Sequence, residues 1–244
     1  LADITINGLI LDGATRKVAV RISNNNNKVQ LFPATNANTF SGGLILAHNA
    51  GSGTRMRVTE PITTVGTPGA ITSCPYGTGT IYVGEAATDK AGILVDTVAN
   101  ITLMNDIVVN TALGTNYVGI RLDTTGHTLS GTITANLAPV TFSTNDTGSA
   151  TLTGQITGPS GLTLSNATGK TVTITLNNAG AANNYQGPTM IEGGKDVLVL
   201  GAADQIPNGI GAGDFANSGT FNMNGFSETV NGLSGSGPVD GISG

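Results

Sequence analysis

The sequence predicts an all-β chain wound as a β-solenoid. Three observations predict it: short runs of alternating apolar and polar residues along the whole length, turn-forming clusters between them, and a long-range echo of one segment by another. Of 244 residues, 39% are hydrophobic, only 10% are charged, and glycine fills 36 positions. Low charge combined with regular Val, Ile, Leu and Thr runs separates this chain from disordered sequences, which are highly charged and poor in β-branched residues.

The alternation begins with Val18, Val20 and Ile22 against Ala19 and Arg21, and the turn cluster Asn24-Asn25-Asn26-Asn27 follows. Gly66-Thr67-Pro68-Gly69 is the next strong turn. Ile101 and Leu103 then flank Thr102, and Ile120 and Leu122 flank Arg121. After the turn Gly158-Pro159-Ser160-Gly161, Val172, Ile174 and Leu176 alternate with two threonines, and Asn208-Gly209 marks a further bend. Period-2 spacing puts each apolar set on one face of a strand. The Gly, Asn and Pro clusters supply the positive or fixed negative φ that a bend requires. No apolar pattern at i, i+3, i+4 and i+7 persists, so Ala86 to Asp89 and Ala202 to Gln205 are expected to form at most a turn.

Many short strands build a sandwich, a barrel or a solenoid, and long-range repetition decides among them. Asn36-Ala37-Asn38-Thr39-Phe40-Ser41-Gly42-Gly43-Leu44-Ile45-Leu46 is echoed by Asn183-Asn184-Tyr185-Gln186-Gly187-Pro188-Thr189-Met190-Ile191. Both read Asn, aromatic, polar, Gly, then a strand. The aromatics lie 185 − 40 = 145 positions apart, room for several coils of roughly 20 residues. A rougher echo follows each copy, at Gly92-Ile93-Leu94-Val95-Asp96 and at Gly219-Thr220-Phe221-Asn222-Met223-Asn224-Gly225.

The stretch from Gly154 to Gly237 closely resembles the autotransporter-associated β-strand repeat, found in passenger regions of autotransporters and in other large exported bacterial proteins. The lead is Gly161-Leu162-Thr163-Leu164, the strand Thr171 to Leu176, and the core Asn184-Tyr185-Gln186-Gly187-Pro188-Thr189. Val197 to Leu200, Gly201-Ala202-Ala203, Ile206-Pro207-Asn208-Gly209, Gly219-Thr220-Phe221-Asn222-Met223 and Leu233-Ser234-Gly235-Ser236-Gly237 complete the pattern. Pro188 stands where the family usually has a second Gly, and the first copy keeps Gly42-Gly43 but loses the Thr. The resemblance implies a right-handed parallel β-helix, a secreted or cell-surface setting at the bacterial outer membrane, and no shared catalytic residues. No stretch matches the translocator barrel of autotransporters. Residues 1–244 are therefore expected to be a single solenoid segment of a longer exported protein, with its clearest repeat at 154–237 and a weaker copy around 36–109.

In such a helix, coils stack at about 4.8 Å, inward apolar residues form columns, and outward Thr and Asn form polar ladders. At roughly 20 residues per coil, the chain would supply about a dozen coils and a rod of about 60 Å.

The net charge of −5 and the scatter of 10 Lys and Arg lack the basic footprint of a nucleic-acid binder, so no nucleic-acid partner is expected. No apolar run reaches the roughly 20 residues of a membrane-spanning helix. The lone Cys74 reads as a small residue beside a turn. His48 and His127 show no metal-ligand spacing and read as surface turn residues. Phe40 and Tyr185 are expected to pack inside a coil or at its corner. A polysaccharide-cleaving β-helix would need clustered carboxylates, for which Asp96, Asp106 and Asp123, near Arg121, are the best candidates; turn-capping, solvated aspartates are the plainer reading. No catalytic, cofactor-binding or metal-ligating residue is assigned. The sequence points to a non-catalytic structural or adhesive segment. Self-association into a fibre or surface layer is one expected partnership, since the Gly-rich tail Gly232 to Gly244 resembles no cap. A host or surface glycan is the other. A polysaccharide lyase or hydrolase and a glycan-binding module are the alternatives.

Overall fold

The computed structural model describes residues 4–6, 8–23, 28–31, 37–48, 53–111, 119–166 and 169–241. The turn expected at Asn24 to Asn27, the leading Asn36 of the first echo and the last three residues of the tail lie outside them. Among the described residues there is no helix, hence none long and apolar enough to cross a membrane. Apart from one hairpin, all strand pairing among the described residues is parallel. Three sheets of ten, seven and six strands form the sides of a β-solenoid.

One coil illustrates the path. The chain runs through Ala91–Val95 on the first face, Thr102–Leu103 on the second and Ile107–Val109 on the third. It then returns to the first face as Gly119–Leu122, one rung on, with Ile93 beside Ile120. That coil takes 120 − 93 = 27 residues, and the next, from Ile120 to Phe142, takes 22. Coils are thus longer than the sequence suggested, because the corners consume residues that do not alternate. The first face has ten rungs instead of a dozen, and nine steps of about 4.8 Å give a stack about 43 Å long.

The cross-section changes along the axis. Parallel strands on the second face begin at Thr102–Leu103, while those on the third end at Ile156–Thr157. Between Thr54–Val58 and Ile81–Val83 the second side instead carries an antiparallel hairpin, Val65–Thr67 with Ala70–Ser73. The described part of the tail is not loose. Leu233–Ser234 and Val239–Asp240 add the last rungs to the first and second faces.

Side chains stack in columns because a parallel register puts the same pleat position of every coil at the same depth. On the second face Leu103, Leu129, Leu152, Leu176 and Leu200 follow one another, none more than 2% exposed. On the third face the column is Leu44, Ile81, Ile107, Ile133 and Ile156. On the first it is Met56, Ile93, Ile120, Phe142, Leu164 and Ile191. Each buried side chain contributes about 1.5–3 kcal/mol, and no coil could bury its own apolar stripe without the next. On the outer side of the second face Thr102, Thr128, Thr151 and Thr175 are in register, the threonine ladder expected from the sequence.

Glycine permits the close approach of coils at the corner between the second and third faces. A Cβ on Gly154 would lie 2.0 Å from the Gly131 carbonyl oxygen, and one on Gly131 would lie 2.2 Å from that of Asn105. The echoed segments, by contrast, do not occupy equivalent places. Phe40 leads into Leu44–Leu46 on the third face, whereas Tyr185 leads into Thr189–Ile191 on the first. Unequal coils and the hairpin insertion shift the phase, so a local chemical likeness is not a likeness of column.

Candidate functional site

The carboxylates singled out in the sequence are brought together only in part. Asp96 and Asp123 follow Ala91–Val95 and Gly119–Leu122 directly, so they occupy the same corner on neighbouring coils, and the Asp123 amide donates to the Val95 carbonyl at 2.8 Å. Asp106 sits at a different corner, between the second and third faces, where its Oδ1 accepts from the Thr132 amide of the next coil at 2.8 Å. These three therefore form no common groove.

Each of the stacked pair is matched by an arginine. Arg57 Nε donates to both oxygens of Asp96, at 3.0 and 3.1 Å. Arg121 holds Asp123 through Nε at 2.9 Å and through Nη2, and the Asn145 amide donates to the same carboxylate at 2.8 Å. All four charged side chains are at least three-quarters buried. Arg57, Leu94 and Arg121 are in register, and Leu94, between the two arginines, is wholly buried. Arginine stems flanking an apolar residue, with heads paired to aspartate, make a structural ladder.

His127 corrects the sequence reading. It is no surface turn residue but the first residue of the strand His127–Leu129, 1% exposed, in an inward column with Ala150 and Ile174. The turn residues Thr124, Thr125 and Gly126 before it hid the start of the strand. Its Nε2 lies 2.9 Å from the Thr124 carbonyl oxygen and 3.0 Å from Thr124 Oγ1, which satisfies one ring nitrogen at the edge of the core. Burial holds the imidazole below its ordinary pKa. His48 is half-buried, with Nδ1 3.4 Å from Ser23 Oγ.

Cys74 follows the strand Ala70–Ser73 and is fully buried; its Sγ donates to Asn105 Oδ1 at 3.4 Å. Burial raises its thiol, which keeps it protonated and unreactive. Phe40 and Tyr185 are both interior, as expected. The Tyr185 hydroxyl is 2.7 Å from Thr189 Oγ1, and burial raises its phenol well above the ordinary range.

The side chains that sequence reading missed sit at the corners, where they bond backbone from coil to coil. Asn183 accepts from the Ile156 amide at 2.8 Å and donates to the Gln205 carbonyl at 2.9 Å. Gln205 accepts from the Asn178 amide at 2.9 Å, while its own amide donates to Glu228 Oε2 at 2.7 Å. Upstream, Asn136 Nδ2 donates to Asn110 Oδ1 at 2.7 Å, and Asn110 Nδ2 to the Gly84 carbonyl at 2.8 Å. The asparagine ladders are thus buried at corners, not outward-facing as the sequence suggested. Corner backbone has no strand partner and must be satisfied somehow. The findable signal was recurrence at the coil period, 205 − 183 = 22 and 228 − 205 = 23, legible only once the period is known.

Asp196 is the most unusual of these. It is 0% exposed, its Oδ1 accepts from the Val172 amide of the preceding coil at 3.2 Å, and Oδ2 has no partner among the described residues. Burial pushes its carboxyl up to about 6 against the backbone amides of Val172, Asn166 and Gly193, which hold it down, with a smaller upward contribution from Glu192. Glu228, partly buried, is raised in the same direction.

Among the described residues no three His, Cys, Asp or Glu side chains are grouped as metal ligands would be. Comparison with models of known protein families, with curated proteins and with solved structures finds no match.

Proposed function

We propose that this chain is a non-catalytic structural and adhesive segment of an exported bacterial surface protein. The observation that carries the reading is the use made of its polar side chains: Asp96, Asp123, Asp106, Asn183, Gln205 and Glu228 all bind backbone or an arginine of the solenoid itself. Such an arrangement stiffens a rod and leaves those groups unavailable to a substrate. The autotransporter-like residues of 154–237 support the exported setting.

Protease shaving of intact cells that make the full-length protein, read with an antibody to this chain, tests the setting. Cleavage before lysis is expected; protection until lysis would overturn surface exposure. Reducing-end release from a polysaccharide panel tests the absence of catalysis, and turnover abolished by Asp123→Asn would establish the enzyme reading instead. Electron microscopy of the purified chain across a concentration series tests assembly, with fibres or sheets expected and dispersed monomers at every concentration counting against it.

A further inference from the structure

Past Ile156–Thr157 the third side of the solenoid carries loops in place of strands, of which 178–188 and 201–214 are the first two and 223–232 the third. The first loop is laddered onto the coil before it: the Asn184 amide donates to the Ile156 carbonyl at 3.0 Å and the Gln186 amide to the Gly158 carbonyl at 2.9 Å. The second loop is not laddered onto the first in that way. The Gln205 and Ile206 amides turn to Glu228 Oε2, at 2.7 and 3.1 Å, and Pro207 has no amide to give. A cleft of about 370 Å³ opens between the two loops.

The far wall of the cleft is held in place. Asn231 accepts from the Gly209 amide at 2.7 Å and donates to the carbonyls of Gly209 and Ala212 at 3.0 and 2.8 Å. That brace fixes a loop whose tip presents Ile210 fully exposed. The rim has the opposite character. Asn184, Gln186, Asn208 and Asp204 line it with exposed side chains that make no hydrogen bond or ion pair among the described residues. Asn183, Gln205, Glu228 and Asn231 beside them are engaged in bonds between coils, which leaves these four groups at a braced cleft to meet a ligand.

We propose that this cleft binds a neutral saccharide segment. A pyranose ring presents an apolar C–H face, which Ile210 and Pro207 would cover, and a rim of hydroxyls that both donate and accept. The primary amides of Asn184, Gln186 and Asn208 complement such hydroxyls in both senses, and the Asp204 carboxylate accepts from them. Asp204 is the only charged residue of the lining, so an acidic sugar meets repulsion and no cation. An extended peptide would need the free backbone edge of the first loop, but Tyr185, between the two rim amides, is 1% exposed. The inference names a partner class for the adhesive reading and rests on that reading only for where the ligand would be met.

The test is titration of the ¹⁵N-labelled chain with neutral tetrasaccharides of glucose, galactose and mannose, with trigalacturonate, and with an uncharged Thr/Val heptapeptide. Saturable shifts of the Asn184, Gln186 and Asn208 side-chain amides are expected with a neutral sugar. The double variant Gln186→Ala, Asn208→Ala should weaken that binding about tenfold or more. Its melting temperature should not change, because neither side chain bonds elsewhere. No shift at these amides from any neutral sugar at about 10 mM would overturn the proposal, as would preference for trigalacturonate or the peptide. Binding in solution is independent of cell-surface display, so protection in the shaving experiment and absence of sugar binding are separate failures.

Discussion

Replacing Asp196 by Asn should stabilise the protein at neutral pH and do almost nothing at pH 4. In the folded chain the carboxyl titrates near 6 against an ordinary 3.8, because it is 0% exposed and burial outweighs the backbone amides that hold it down. Below 3.8 the group is protonated whether the chain is folded or not, and it costs nothing. Between the two values the unfolded chain releases its proton while the folded chain keeps it, so stability falls as pH rises. Above about 6 the full penalty of a buried charge is present. Two pKa units at 1.36 kcal/mol each put that penalty on the order of 2–3 kcal/mol. Asn keeps the shape, and its carbonyl accepts from the Val172 amide, without the charge. Melting of both proteins at pH 4, 5, 6 and 7.5 reads the effect. The curves should coincide at pH 4 and separate by about 5–10 °C at pH 7.5 for a chain of this size. Amide exchange at Val172, which Asp196 holds, gives a local readout should coils melt independently. The reasoning fails if the Asn protein melts lower at every pH, or if the two differ by a constant amount. Glu228 titrates in the same sense but is common to both proteins, so the difference isolates Asp196.

Other substitutions read other parts of the stack. Leu152→Ala removes the middle of a column between Leu129 and Leu176 and should cost about 2–5 kcal/mol by denaturant melting; a loss below about 1 kcal/mol would mean the column is not close-packed. His127→Leu should act oppositely to the Asp196 change: the depressed imidazole loses stability as pH falls through its unfolded value near 6.5, so the melting temperature of the wild type relative to the Leu protein should fall from pH 7 to 5, the gain from Asp196 and Glu228 being common to both. Thr97 holds a φ of +66°, a region that suits Asn and penalises a β-branched residue. Thr97→Asn should therefore raise stability by up to about 1 kcal/mol, and a lower melting temperature would show that its Oγ1 contact to the Thr59 carbonyl matters more.

The strand signal was local and read well. Val172, Ile174 and Leu176 alternate in sequence and are all buried in Thr171–Leu176. The two aromatics, Phe40 and Tyr185, were legible as interior residues because an isolated aromatic among small turn residues has little else to do. His127 was missed because two threonines and a glycine before it read as turn, and the one pairing that reveals an inward column, His127 beside Ala150, spans 23 positions. Arg57 was overlooked as the partner of Asp96 for the same reason: the contact crosses 39 residues and a hairpin. The cleft between the loops 178–188 and 201–214 left no trace in the sequence beyond Pro207.

What the sequence by itself determined is the unit: short alternating strands of low charge, broken by residues that can bend, which no helix and no single coil can accommodate with its apolar stripe buried. What only the tertiary structure decided is the phase between units. Corner length varies from coil to coil, and whether Asp96 meets Asp123, or Asp196 faces water or core, depends on how many residues each corner takes up. Alternation is enforced within a few residues by the pleat, whereas stacking is settled by contacts some 20 to 40 residues apart along the chain.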